Sequence, residues 1–226
     1  MDFKFPHTPH LAWLGANNPR IDKVLSSTER DQFLRHPLIV EEKLDGANIG
    51  ISFDATLSPI VQNRGSVLGR GGHPQFQALW PWLAGHQERL AKGLGRQLIL
   101  FGEWCFAVHS VRYIKLPDYF LAFDVYDRDE KRFWSADRRD ELALALGIVV
   151  VPRVGEGRFS LEDLKRRLQL STSQFGSEPM EGLYLRQDED GWLRIRAKLV
   201  RPEFTQAIDE HWTSHVFERN LVSRAL

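Results

Sequence analysis

Two β-prone runs, Leu38–Lys43 and Ala47–Phe53, stand only three residues apart. The gap is Leu44-Asp45-Gly46, and Asp-Gly is a dipeptide that tight turns favour. The spacing therefore predicts a β-hairpin centred on Asp45-Gly46. Further strands are expected over residues 96–105 and 119–126, both rich in Leu, Ile, Phe, Val and Tyr, and over 148–151. Residues 182–186 and 192–198 read as a second hairpin across 188–191. Helical spacing of Phe76, Leu79, Trp80, Leu83 and Leu90 predicts a helix within 74–94, with Pro81 expected to break or kink it. Ser135 and Gly147 bracket another helix, Ser160 opens a third, and the stretch from Glu203 is expected to be helical. Strands joined by hairpins, with helices interspersed irregularly, indicate an α+β fold on antiparallel sheets rather than a doubly wound nucleotide fold.

The 226 residues carry 30 basic and 30 acidic side chains, so the formal charge is zero. That excludes a uniformly basic nucleic-acid binder; any such role must rest on a local surface or on chemistry at one phosphate. A single cysteine, Cys105, rules out an internal disulfide and a cysteine-based zinc site. With no long apolar run and no secretory leader pattern, a cytoplasmic protein with no membrane contact is expected. Neither a Walker A loop nor a G-x-G-x-x-G fingerprint is present, and the Gly-rich residues 64–72 lack the Lys-Ser/Thr pair of a P-loop.

Lys43-Leu44-Asp45-Gly46 is the most informative tetrapeptide. A lysine ending an apolar strand beside a turn can sit in a pocket. Desolvation and nearby cations would then lower its pKa and free the amine as a nucleophile. The alternative is an exposed lysine before an ordinary turn. Downstream come Asn48, Arg64, Phe101-Gly102-Glu103, Phe123-Asp124, Glu181-Gly182 and Arg196-Ala197-Lys198. Each has a plainer reading: Phe123 as core, Glu181 as a surface acid, Asp124 as a structural acceptor. The histidines His7, His10 and His109 are assigned no role, and Cys105 is read as a small buried hydrophobe.

In this order the motifs resemble the covalent nucleotidyltransferase superfamily of ATP-dependent ligases and capping enzymes. Asn48, five residues after Lys43, makes the chain similar to RNA ligases of the phage double-strand-sealing and RNA-editing type. The stretches 5–11, 107–113 and 198–204 look like bacterial members of that group. The resemblance implies that Lys43 attacks the α-phosphorus of ATP to form lysyl-AMP. It further implies that Glu42 meets adenine through its main-chain carbonyl, and that Asn48 and Arg64 lie near the α-phosphate. Glu103 would bind ribose, Phe123 would stack on adenine, and Lys198 would hold the transferring phosphate. Glu181 would position Mg²⁺ or Mn²⁺, with Glu103 and Asp45 participating through water. The final basic motif has two registers, Arg196/Lys198 or Lys198/Val200, and Lys198 is functional in both.

The expected function is ATP-dependent joining of RNA 3'-OH and 5'-phosphate ends, at a nicked duplex or free ends. An end-healing kinase/phosphatase is a candidate partner. A DNA ligase or guanylyltransferase would share the Lys43 chemistry, and a non-catalytic nucleotide- or RNA-binding module is the remaining alternative. Residues 1–226 are expected to form a single minimal nucleotidyltransferase domain, its motif-bearing core at about 38–204, with no appended oligonucleotide-binding domain. Such a chain would grip RNA weakly and in a strongly salt-sensitive way, through a surface near Arg64, Lys198 and Arg201.

Overall fold

The computed structural model describes residues 3–16, 23–206 and 218–223. Among the described residues ten strands form two antiparallel sheets. One has four strands, in the order β10 (Trp192–Val200), β9 (Gly182–Glu189), β1 (Leu38–Lys43), β8 (Arg153–Gly157). The other has six: β4 (Ser66–Val67), β3 (Pro59–Asn63), β2 (Ala47–Phe53), β5 (Leu98–Trp104), β6 (Phe120–Asp127) and β7 (Arg132–Phe133). The α+β expectation holds, as does the late hairpin.

Strand alternation sorts the four-stranded sheet into two chemically distinct faces. Leu38, Val40, Leu183, Leu185, Ala197 and Leu199 turn outward onto Leu164 and Leu168 of helix α4 (Leu161–Leu170) and Phe33 of α1 (Ser27–Leu34). The six-stranded sheet buries Ile49, Ile51 and Leu100 under Leu79, Leu83, Leu90 and Leu94 of α2 (Leu79–Leu94), with Ala143 and Leu146 of α3 (Ala136–Leu146). Each fully buried Leu contributes about 1.5–3 kcal/mol, so these two outer cores hold the sheets in place. The inner faces carry the polar side chains, beside a smaller apolar cluster of Phe5, Ile99 and Phe101.

Pro81 neither breaks nor kinks α2. It is the third residue of the helix, in the first turn, where its missing N–H has no intrahelical carbonyl to lose. Residues 148–151 form no strand; Val150 makes one parallel bridge to Ala122, and the strand lies later, at β8. The β8 sequence is glycine-rich and charged, a poor strand former, and it is recruited by the open edge of β1. The helix expected from Glu203 is seen as α5 (Pro202–Gln206), and the rest of that stretch, 207–217, lies outside the described residues.

The largest departure is at Asp45-Gly46. β1 and β2 do not pair: β1 lies between β8 and β9, and β2 between β3 and β5. Leu44-Asp45-Gly46 is thus a crossover between sheets. Gly46 passes so close to β5 that a Cβ there would sit 2.6 Å from the Trp104 carbonyl oxygen. Closeness of approach, not turn geometry, requires this glycine.

A buried ionic layer ties the inner faces together. Asp124 of β6 accepts from Arg186 of β9 at 2.6 Å and from Arg196 of β10 at 2.5 Å. Arg139 of α3 bonds Glu41 of β1 at 2.6 Å, both fully buried. The register between β5 and β6 shifts at Phe101/Gly102 and leaves Phe123 as an extra residue. Phe123 and Asp124 consequently face the same side, toward Tyr184 and Arg186, while Ala122 and Val125 lie in the outer core.

Gly46→Ala should cost about 1–3 kcal/mol of stability by overpacking against a main-chain oxygen, read as a lower urea midpoint. Arg139→Ala should cost about 3–5 kcal/mol, because Glu41 is left charged and buried. The double variant Glu41→Leu/Arg139→Met should lose less than that single one, which the same denaturation series checks.

Candidate active site

Lys43 ends β1 on the inner face, and its Nζ lies 2.5 Å from Glu181 Oε2, at the start of β9. Their side chains keep 25% and 12% of their surface, so the pair is enclosed yet reachable. Glu103 enters from β5, directly opposite Asn48 of β2, and accepts the Gly46 amide at 3.1 Å. Burial alone would push the Lys43 ammonium down, but Glu181, Glu103 and Asp45 outweigh it and raise its pKa above the ordinary lysine value. The expected lowering does not occur, because carboxylates rather than cations are its dominant neighbours. Those acids bear the reciprocal cost. Burial, with Glu181 and Asp45 adding repulsion, lifts Glu103 to about 7 despite Lys43. Burial and Asp45 lift Glu181 to about 7 likewise.

Asp45 is held by main chain. Its Oδ2 accepts the amides of Ser110 and Val111 at 2.5 and 2.9 Å, and its own amide donates to the Tyr113 hydroxyl at 2.7 Å. That loop is in turn fixed by fully buried Asn220, which accepts from the Tyr113 amide and donates to the Cys105 and Ala107 carbonyls. Asn220 and Tyr113 were not singled out from sequence; nothing local marks a residue that acts through a loop more than 100 positions away.

The structure brings most of the other named residues to the same inner space. Asn48 carries a buried side-chain oxygen with no hydrogen-bond partner. Arg64 takes a positive φ of 46° at the β3–β4 turn, and its charge reaches both Glu103 and Lys198. Lys198 lies across β9 from Glu41, in register with Tyr184. Burial first, then Lys43, Arg64 and Lys23, lower its pKa to about 8. Phe123 faces Tyr184 with ring centroids 6.3 Å apart. Its carbonyl is held by Arg139 at 2.7 Å and Arg186 at 3.1 Å. Glu42 is the exception. It points to the opposite face, where its carboxylate accepts from the Gln174 amide, so only its main chain borders Lys43.

Arg196 is absorbed by structure. It is bonded to Asp124 and lies over the Phe5 and Phe133 rings at 4.5 and 4.2 Å. Lys198 is therefore the member of the last basic motif directed at the site, and Val200 is buried.

A family model for RNA ligase matches residues 36–200, well over half of the sequence. The chain belongs to the RNA ligase family. Among solved structures it is similar to Naegleria gruberi RNA ligase, for which apo, pyrophosphate-bound and ATP/Mn-bound forms are known. The apo mutant form aligns at 16% identity with TM-score 0.63, over 92% of this chain and 58% of that one. The pyrophosphate form aligns at 17% identity and TM-score 0.61, over 92% and 62%. A mutant with ATP and Mn aligns at 17% identity and TM-score 0.59, over 91% and 61%. This likeness is one of fold, and the chain spans about three-fifths of the length of those ligases. No curated protein sequence matches it.

Among the described residues no three His, Cys, Asp or Glu side chains converge to ligate an ion directly. The donors do fit a hard cation held largely through water: Glu103 and Glu181 offer oxygen donors whose charges repel one another in a buried setting. Asp45 is less suited, its Oδ2 being committed to two amides.

The raised acids have a pH signature. A carboxyl whose folded pKa exceeds its unfolded value binds more protons when folded, so it removes stability as pH rises from about 4.5 to about 7. Glu103→Gln should therefore gain stability relative to the parent between pH 5 and pH 8, by on the order of 1 kcal/mol after solvent screening, in paired urea titrations.

Proposed function

We propose that this chain is an ATP-dependent RNA ligase of the covalent nucleotidyltransferase type. The observation that carries this reading is the Lys43–Glu181 pair at 2.5 Å, set among Glu103, Asn48, Arg64 and Lys198. Lys43 Nζ attacks the α-phosphorus of ATP; the new N–P bond forms as the bond to the bridging oxygen breaks, and pyrophosphate leaves. The ammonium must first lose a proton, and Glu181, lifted to about 7, is the nearest acceptor. Lys198 and Arg64 supply positive charge for the phosphoryl oxygens, and Asn48 offers its side-chain Nδ2 as a neutral donor beside them. Phe123, opposite Tyr184, provides a face for the base, and Glu103 an acceptor for ribose hydroxyls. A bound Mg²⁺ or Mn²⁺ would add charge neutralisation at the reacting phosphate, held by Glu181 and Glu103.

The AMP then passes to an RNA 5'-phosphate, and a 3'-OH displaces it to close the strand. Supply of such ends calls for an end-healing kinase/phosphatase acting beforehand. Among the described residues no helix is long and apolar enough to cross a membrane, and a cytoplasmic location belongs to the same proposal. With zero formal charge, RNA is gripped through the local cationic surface at Arg64 and Lys198.

Incubation with α-labelled ATP and Mn²⁺ should leave a denaturation-resistant AMP adduct that Lys43→Ala reduces to background. The labelled protein should seal nicked RNA at least tenfold faster than nicked DNA. An adduct that persists in Lys43→Ala, or preference for GTP, would overturn the reading.

A further inference from the structure

β1 ends at Lys43, and Leu44-Asp45-Gly46 crosses to the other sheet with no strand ladder to hold it. Three contacts take the place of a ladder. Leu44 is buried in an apolar cluster with Val111, Tyr113 and Leu116. The Asp45 amide donates to the Tyr113 hydroxyl at 2.7 Å, and its carboxylate accepts the Ser110 and Val111 amides. The Gly46 amide donates to Glu103 at 3.1 Å. Two of these three anchors come from one loop, residues 105–116, so the main chain beside the nucleophile is only as well fixed as that loop.

The loop lies in neither sheet. Its main chain pairs instead with residues 218–223, which thread between its two arms. The Val108 amide donates to the Glu218 carbonyl at 3.0 Å, the Asn220 amide to that of Phe106 at 3.0 Å, and the Leu221 amide to that of Tyr113 at 2.9 Å. Asn220 sits at the centre of this clasp, fully buried. Its Nδ2 donates to the Cys105 and Ala107 carbonyls at 2.9 and 3.0 Å on one arm, and its Oδ1 accepts the Tyr113 amide at 2.8 Å on the other. A carboxamide supplies both kinds of group, two donors and an acceptor, and here each is used. The spacing of the arms is thereby set, and with it the place at which the Tyr113 hydroxyl meets Asp45.

We propose that Asn220, acting through Tyr113 on the Asp45 main chain, is a positioning residue for the attack by Lys43, a role that rests on the ligase reading of that lysine. In-line displacement tolerates little error: a misplacement of about 1 Å costs on the order of 10²-fold in rate. Phe123 and Lys198 are carried on β6 and β10, whose ladder bonds involve no residue of the 218–223 segment. Loss of the clasp therefore slows the chemical step while ATP binding is largely kept.

The test follows labelling of the full chain by α-labelled ATP in single turnovers across a range of ATP concentrations. Asn220→Ala and Tyr113→Phe should each lower the rate constant at saturating ATP about tenfold or more, with ATP half-saturation moving less than about threefold. Tyr113→Phe removes one oxygen only and decides the matter should Asn220→Ala fail to fold. The double variant should be no slower than the slower single one, because both act along one path. Ser223→Ala removes a different contact of the same segment, to the Leu116 carbonyl at 3.2 Å, and should label like the parent. Amide hydrogen exchange at Asp45, Ser110 and Val111 should be faster in Asn220→Ala than in the parent. A parental rate in Tyr113→Phe, an equal loss in Ser223→Ala, or a raised ATP requirement in place of a slower step overturns the positioning role. If the parent chain takes no label, the ligase reading falls, and exchange alone decides whether Asn220 holds the crossover: faster exchange at Asp45 keeps that role, and unchanged exchange removes it.

Discussion

Three buried arginines and two buried acids hold the halves of this molecule at working distance. Arg186 and Arg196 converge on Asp124, and Arg139 reaches Glu41. None of these groups can exist charged and alone in the interior, so the two sheets are constrained to stay in register across the gap. The same arginines spend spare donors on the Phe123 carbonyl and on that of Trp134. The Phe123 backbone is thereby fixed from behind.

In front of that layer the balance reverses. Lys43, Glu103, Glu181 and Lys198 are grouped without full mutual satisfaction: the acids are raised, Lys198 is lowered, and Lys43 is held protonated. Such frustration is costly to the free protein and useful to a site that receives a polyanion and a divalent cation together. The rigid ionic layer behind prevents the groups from relaxing apart.

Much of the outline was legible in the chain. Pattern and caps located the main strands and α3 and α4 to within a few residues, because period-2 and period-3.6 burial and Ser/Gly caps are local. Lys43, Asn48, Arg64, Glu103, Phe123, Glu181 and Lys198 were all readable as members of an ordered motif set, and they converge on one inner space. The Asp-Gly turn was misread, since a hairpin and an inter-sheet crossover share one local sequence. Long-range pairing distinguishes them, β1 with β8 and β9 and β2 with β3 and β5. Residue 81 was misread for the opposite reason: proline's effect depends on where in the helix it falls.

Sequence by itself determined the residue types available: one candidate nucleophilic lysine in a K-x-D-G setting, oxygen donors instead of sulfur, and no global positive field. Tertiary structure alone decided their electrostatics and their division of labour. It made Lys43 a protonated amine, turned Arg196 into a strut, pointed Glu42 away, and brought Asn220 to the neighbourhood. Charges interact through space, at distances that covalent order does not encode. Residues 138 positions apart, Lys43 and Glu181, therefore set each other's proton affinity only after the sheets have closed.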